Sequence, residues 1–131
     1  MREGDRMCFA CGPDNPISLN LDFKLTGDNT AEAVFIPGDV HQGYDGIMHG
    51  GLVTTLLDEA MAKVIALKGE IAVTAEIRVR FKHPVRIGER LRITGIFKKQ
   101  RKKLIFTEAG LYDSDDTLLA SATGKFIVAD P

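Results

Sequence analysis

One long apolar run stands in a chain that otherwise alternates, and that contrast limits the folds open to it. Residues 52–67 carry Leu, Val, Ala, Met and Ile with few breaks. At about 16 residues the run is too long for an ordinary strand. Its Leu, Ala, Met, Lys and Glu suit a helix, with Gly69 as a C-terminal stop. Apolar residues surround most of its circumference, which predicts a helix buried on several sides.

Around this helix the sequence reads as strand. Residues 17–25 place Leu19, Leu21, Phe23 and Leu25 on one side, and residues 30–36 form a second short strand. From 71 to 81, Ile71, Val73, Ala75, Ile77, Val79 and Phe81 share one face. Ala72, Thr74, Glu76, Arg78 and Arg80 share the other. Further strands are predicted at 90–97, 104–112 and 117–128, with the polar turns "KKQRKK" and "DSDD" between them. Short turns between alternating strands mean an antiparallel meander with one solvated face. The plan is two strands, one helix, then four strands: an α+β fold in which a curled sheet covers one helix. A single helix cannot cover six strands, and open edges invite pairing. A homodimer joined edge to edge is therefore expected.

The 131 residues suit a single domain over 1–131, and 44% apolar content supports a real core. A net charge of −1, without aromatic interleaving of the basic residues, points away from nucleic acid. No apolar run reaches the length of a membrane span. "MREGDRM" at the start is followed by no apolar segment, so no signal peptide is expected and the cytoplasm is the expected compartment. Residues 1–16 hold both cysteines, Cys8 and Cys11, as Cys-x-x-Cys. They are expected to pack on the domain as a small turn. A zinc site usually takes four ligands, and no second pair exists. Pooling two subunits, or adding His41, would be needed, so no metal is expected. The basic residues Lys98, Lys99, Arg101, Lys102 and Lys103 read as a solvated turn, or as a contact for phosphates.

Chemistry concentrates where the helix begins. His49-Gly50-Gly51 precedes the apolar run. The first turn of a helix has backbone N–H groups with no internal partner, and glycine lets a ligand approach them. The helix dipole adds partial positive charge, which suits a carbonyl oxygen gaining negative charge. Farther along sit Asp58 and Glu59. Glu59 is four residues before Lys63, a favourable ion-pair spacing. Asp58 has no such partner, and an unpaired carboxylate on an apolar row is costly unless hydrogen-bonded or used. Thr54 or Thr55 could satisfy it. Gly50 and Asp58 lie roughly 12 Å apart along one helix. One carbonyl cannot lie against both, so a joint role needs a second copy of the chain.

"HGGLVTTLLDEAM", "VTAEIRVRFKHPVRIGE", "LLASATGKFIV" and the opening "CFACGPDNPISLNLDF" resemble the hotdog-fold acyl-CoA thioesterases of the phenylacetate-pathway type. The resemblance covers nearly the whole chain. It implies a helix wrapped in a curled antiparallel sheet, and a dimer with sites at the interface, usually paired into a tetramer. It implies hydrolysis of a thioester to free coenzyme A and a carboxylic acid, with no cofactor because coenzyme A is part of the substrate. Gly50 would supply the N–H that binds the thioester carbonyl. Asp58 of the other subunit would be general base or nucleophile. Thr74 would help place the attacking water, and His49 would orient the thioester or the loop. Gly51, His41, Gln42, Arg78, Arg80 and Lys82 are the expected substrate neighbours. Some relatives carry an Asn at the position of Gly43, which His41 or Gln42 could replace. Hotdog hydratases use a His with an acid fourteen residues on. Fourteen after His41 stands Thr55, which argues against dehydration. A non-catalytic acyl-CoA-binding module is the other alternative.

Overall fold

The computed structural model describes residues 3–129. Six strands form one antiparallel sheet: β1 (Lys24–Leu25), β2 (Thr30–Phe35), β3 (Ala72–Phe81), β4 (Leu91–Arg101), β5 (Leu104–Tyr112) and β6 (Leu118–Val128). One helix, α1 (Gly50–Leu67), packs on its inner face. The expected meander holds for β4-β5-β6, but β3 crosses over to pair with β6, giving the order β1-β2-β4-β5-β6-β3. That leaves β3, ten residues long, as a free edge.

Two strand expectations change in detail. Only Lys24 and Leu25 of residues 17–25 join the sheet. Upstream, the N–H groups of Leu19 and Leu21 donate to the carbonyls of Phe9 and Ala10. The alternation of Leu19, Leu21 and Phe23 is real, since all three are buried, but it packs the N-terminal segment rather than a sheet strand. The turn expected over 98–103 shrinks, because β4 runs through Arg101 and Lys102 takes a left-handed φ of 57°.

The helix buries Val53, Leu56, Leu57, Ala60, Met61, Val64 and Ile65 against the sheet. The sheet admits it along a row of small residues in register: Ala31, Gly95, Ala109 and Ala122. Gly95 is the tightest point. A Cβ there would overlap the Ala60 carbonyl oxygen and lie 2.7 Å from its carbon. The obstruction is helix backbone, which cannot rotate away. Gly95→Ala is therefore expected to lower stability by about 3 kcal/mol or more, at the upper end of overpacking costs. The urea midpoint is the measurement, and a midpoint within error of wild type would refute the close approach.

A β-bulge in β3 decides which side chains face the helix. Thr74 pairs with Phe126 and Glu76 with Lys125, so Ala75 is the extra residue. Phe126 is fully buried on the inner face, which puts Thr74 there too. Strict alternation had placed Thr74 on the outer face with Glu76, Arg78 and Arg80. One inserted residue reverses the facing of everything before it. Val73 is correspondingly turned outward beside Ile127 and is 57% exposed.

Candidate active site

The start of α1 is capped from within the motif. His49 is the N-cap, and its Nδ1 accepts the Gly51 N–H at 2.9 Å. Its carbonyl accepts from Leu52 and Val53 at 3.0 and 3.1 Å. The Val53 bond is the first regular turn of the helix; of the four N–H groups that a helix leaves without such partners, those of His49, Gly51 and Leu52 are used, the first by the His41 carbonyl at 2.8 Å. The fourth, on Gly50, makes no hydrogen bond among the described residues. A Cβ at Gly51 would sit 3.0 Å from both Cε1 and Nδ1 of the His49 ring, so a side chain there would press on the capping ring.

Gly50 opens on two adjoining hollows. One, of about 360 Å³, is lined by Met48, Val53, Phe81, Lys82 and His83 among others. The other, of about 390 Å³, lies over Gly43, Tyr44 and His49. Phe81, on the inner face of edge strand β3, is 59% exposed beside Gly50. His83 was not anticipated. Its neighbour Lys82, an expected substrate neighbour, lines the same hollow.

The loop before the helix is braced by the residues expected to touch substrate. His41 Nδ1 accepts the Gly38 N–H at 2.8 Å, and its ring meets Phe35 edge-on at 5.2 Å. The His41 carbonyl accepts the His49 N–H at 2.8 Å. Gln42 Oε1 accepts the Gly46 N–H at 2.9 Å. Each side chain thus holds the loop through one atom. At Gly43 a Cβ would lie 3.3 Å from His49 Cα, so a side chain there would press on the N-cap. Thr55 donates to the Gly51 carbonyl at 3.0 Å, and as a hydroxyl it supplies no acid to pair with His41.

Asp58 is partly buried, and Thr74 satisfies it by donating to Oδ1 at 2.8 Å. Thr54 and Thr55, the partners expected from the helix, bond the carbonyls of Gly50 and Gly51 instead. This is the back-bonding usual for hydroxyls within a helix. The structure thus joins Asp58 to Thr74, and Gly50 to His49, Gly51 and Lys82, as two clusters along one helix. Arg78 and Arg80 fall elsewhere. They line a separate hollow of about 290 Å³ on the outer face of the sheet with Glu108 and Ser121. Of the basic hairpin, Lys98 lies 4.0 Å from Glu108 and Lys99 stacks over Phe106. Both belong to that outer face.

Glu59 feels the charge of Lys63, as its spacing predicts, and also faces the N-terminal segment, where Cys8 Sγ approaches Oε2 at 3.8 Å. Burial raises its pKa, and the nearby Lys63 charge only partly offsets this. Burial, with the charge of Glu59, also pushes the Cys11 thiol up to about 12. No local pattern signals this grouping, because Glu59 lies 48 residues beyond Cys11 along the chain.

Known proteins place this architecture. The crystal structure of a thioesterase superfamily protein superposes with a TM-score of 0.88 at 24% identity, covering 93% of this chain and 60% of that one. The smu.793 protein of Streptococcus mutans, solved bound to acetyl CoA, gives 0.78 at 22% identity, covering 84% and 89%. At such identities the likeness establishes the hotdog fold. In sequence, the acyl-coenzyme A thioesterase THEM4 of Bos taurus is 30% identical over 110 residues, 83% of this chain and 45% of that protein. The chain spans about half the length of the curated relatives it matches. The family description "Thioesterase superfamily" matches residues 45–120, from the loop before α1 to the start of β6. With more than half of its length so matched, and with the helix and sheet arranged as in solved members, this chain belongs to the thioesterase superfamily.

Proposed function

We propose that the chain hydrolyses acyl-CoA thioesters, with each site built from two copies. The observation that carries this reading is the Gly50 N–H at the start of α1, which has no partner among the described residues and belongs to a residue that lines an open groove. A thioester carbonyl accepts from that N–H, and the helix dipole reinforces the bond as the oxygen gains charge. Asp58 of the partner takes a proton from water as the water attacks the carbonyl carbon. Thr74 occupies Oδ1 of Asp58, which leaves the other carboxylate oxygen for the water. The carbon–sulfur bond then breaks. Coenzyme A leaves as the thiol, with the proton returned by Asp58, and the acyl group leaves as a carboxylic acid. The reaction draws on no cofactor beyond the coenzyme A of the substrate.

Two copies are required because Gly50 and Asp58 are roughly 12 Å apart on one helix. The free edge of β3, with Phe81 exposed beside Gly50, supports edge-to-edge pairing as the way a second Asp58 arrives. Pairs of such dimers complete the assembly in this reading. Lys82 lines the groove, which supports its contact with a coenzyme A phosphate in this reading. Arg78 and Arg80 could meet the same molecule only where it crosses the sheet edge. Names among the relatives, and a structural neighbour solved with acetyl CoA, support the substrate class. Among the described residues no helix is long and apolar enough to cross a membrane. Unpaired cysteines suit the reducing cytoplasm, where we place the reaction.

The test is thiol release from a panel of acyl-CoA thioesters of short, medium and aryl acyl groups. Turnover of at least one member is expected. Binding without turnover across the panel would make the chain an acyl-CoA-binding module instead. Within the same assay, Thr74→Val keeps the branched shape but removes the donor to Asp58. Loss of a hydrogen bond to a charged group costs about 1.5–3 kcal/mol. A fall in kcat of roughly ten- to hundredfold is expected, with KM little changed. An unchanged kcat would remove Thr74 from the machinery.

A further inference from the structure

Asp58 and Glu59 are neighbours on α1 but diverge by about 100° around the helix. Asp58 faces β3, while Glu59 faces the N-terminal Cys-x-x-Cys. That segment is tightly built. The Gly12 N–H donates to the Cys8 carbonyl at 2.8 Å, closing a turn that brings the cysteines together. A Cβ at Gly12 would lie 2.6 Å from the Cys8 oxygen, so only glycine allows it. Arg6 clamps Asp14 through two hydrogen bonds of 2.8 and 3.1 Å outside the turn. Leu19 and Leu21 hold Phe9 and Ala10 from the other side. The sulfurs of Cys8 and Cys11 and a carboxylate oxygen of Glu59 all lie within 4.8 Å of one another.

We propose that Cys8, Cys11 and Glu59 bind a zinc ion, with water in the fourth position. Zn–S bonds of about 2.3 Å and a Zn–O bond of about 2.0 Å in a tetrahedron separate two sulfurs by about 3.8 Å and sulfur from oxygen by about 3.5 Å. The Cys8–Glu59 separation of 3.8 Å already approaches that edge. Small side-chain rotations complete the set. Two thiolates favour zinc over magnesium or calcium, which take oxygen ligands. Charge balances as well. Two thiolates and one carboxylate exceed the ion by one negative charge, and Lys63, which acts on both Cys11 and Glu59, supplies the compensating positive charge. The ion touches no substrate group in the proposed reaction. It clips the N-terminal segment to α1 at the residue next to Asp58, a structural role separate from hydrolysis.

The experiment uses the full chain, purified under reducing conditions and stripped of metal with a chelator. Zn²⁺ alone is titrated by calorimetry, and Co²⁺ by its absorption. One ion per chain is expected, with thiolate-to-cobalt absorption in the near ultraviolet and protection of both cysteines from a thiol reagent. Glu59→Gln keeps both cysteines and is expected to weaken Zn²⁺ binding by at least the about tenfold that loss of even an outer partner costs. Cys8→Ser and Cys11→Ser should abolish the cobalt band. If those two variants do not fold, the wild-type titration and Glu59→Gln still decide. No stoichiometric Zn²⁺ binding by the reduced, folded chain would overturn the proposal. So would an affinity unchanged in Glu59→Gln, or a stable Cys8–Cys11 disulfide that excludes the ion.

Discussion

Asp58→Asn is expected to lower acyl-CoA hydrolysis by about 10²–10⁴-fold, the range general bases contribute. The substitution isolates the charge. An asparagine oxygen still accepts from Thr74 Oγ1, so the contact between α1 and β3 survives. The fold and the dimer should persist, and acyl-CoA should still bind, since Gly50 and the groove residues are untouched. Thiol release, read beside circular dichroism and sedimentation, separates these quantities. Turnover within a few-fold of wild type would show that water is activated by another group, with His83 in the groove the next to examine.

Gly50→Pro is expected to cost about 10²–10³-fold in kcat, the loss seen when one oxyanion donor is removed. Proline would ordinarily break a helix, but here the position is favourable. Gly50 is the first helical residue, where proline is well tolerated and its missing N–H breaks no helical bond. The residue before it, His49, has φ −58° and ψ 131°, the extended geometry that a following proline requires. A Cβ at Gly50 meets only the Phe81 ring at an ordinary 3.6 Å. The variant should therefore fold and lose one hydrogen bond to the substrate. Gly50→Ala keeps the N–H and is the control for side-chain bulk. Equal losses in the two variants would mean that bulk, not the donor, is responsible.

The two variants also test the shared site together. When inactive Asp58→Asn and Gly50→Pro chains are mixed and allowed to exchange, half the dimers are mixed, and each of these has one intact site. About a quarter of wild-type activity should return. No recovery despite demonstrated exchange would place both groups of a site in one chain, against the spacing along α1.

Local pattern and composition determined much of this molecule without help from the fold. The long apolar run reads as a buried helix and the alternating segments of the second half as strands over it, and both are so. Gly50 could be read as an anion-receptive helix start because that property is local: helix ends leave N–H groups free wherever they occur. Only the tertiary structure decided the rest, because it depends on residues distant in the chain. The bulge at Ala75 turned Thr74 inward to Asp58, and alternation cannot show a bulge because one extra residue leaves both flanking patterns intact. The partner of β3 was β6 rather than β4, since pairing across a long separation is set by what the sheet must cover. Glu59 reads locally as half of an i,i+4 pair with Lys63, and only the fold shows the N-terminal segment crossing over it and bringing two cysteines to it. Burial by a distant segment changes what a carboxylate can do, and no window of neighbouring residues contains that segment.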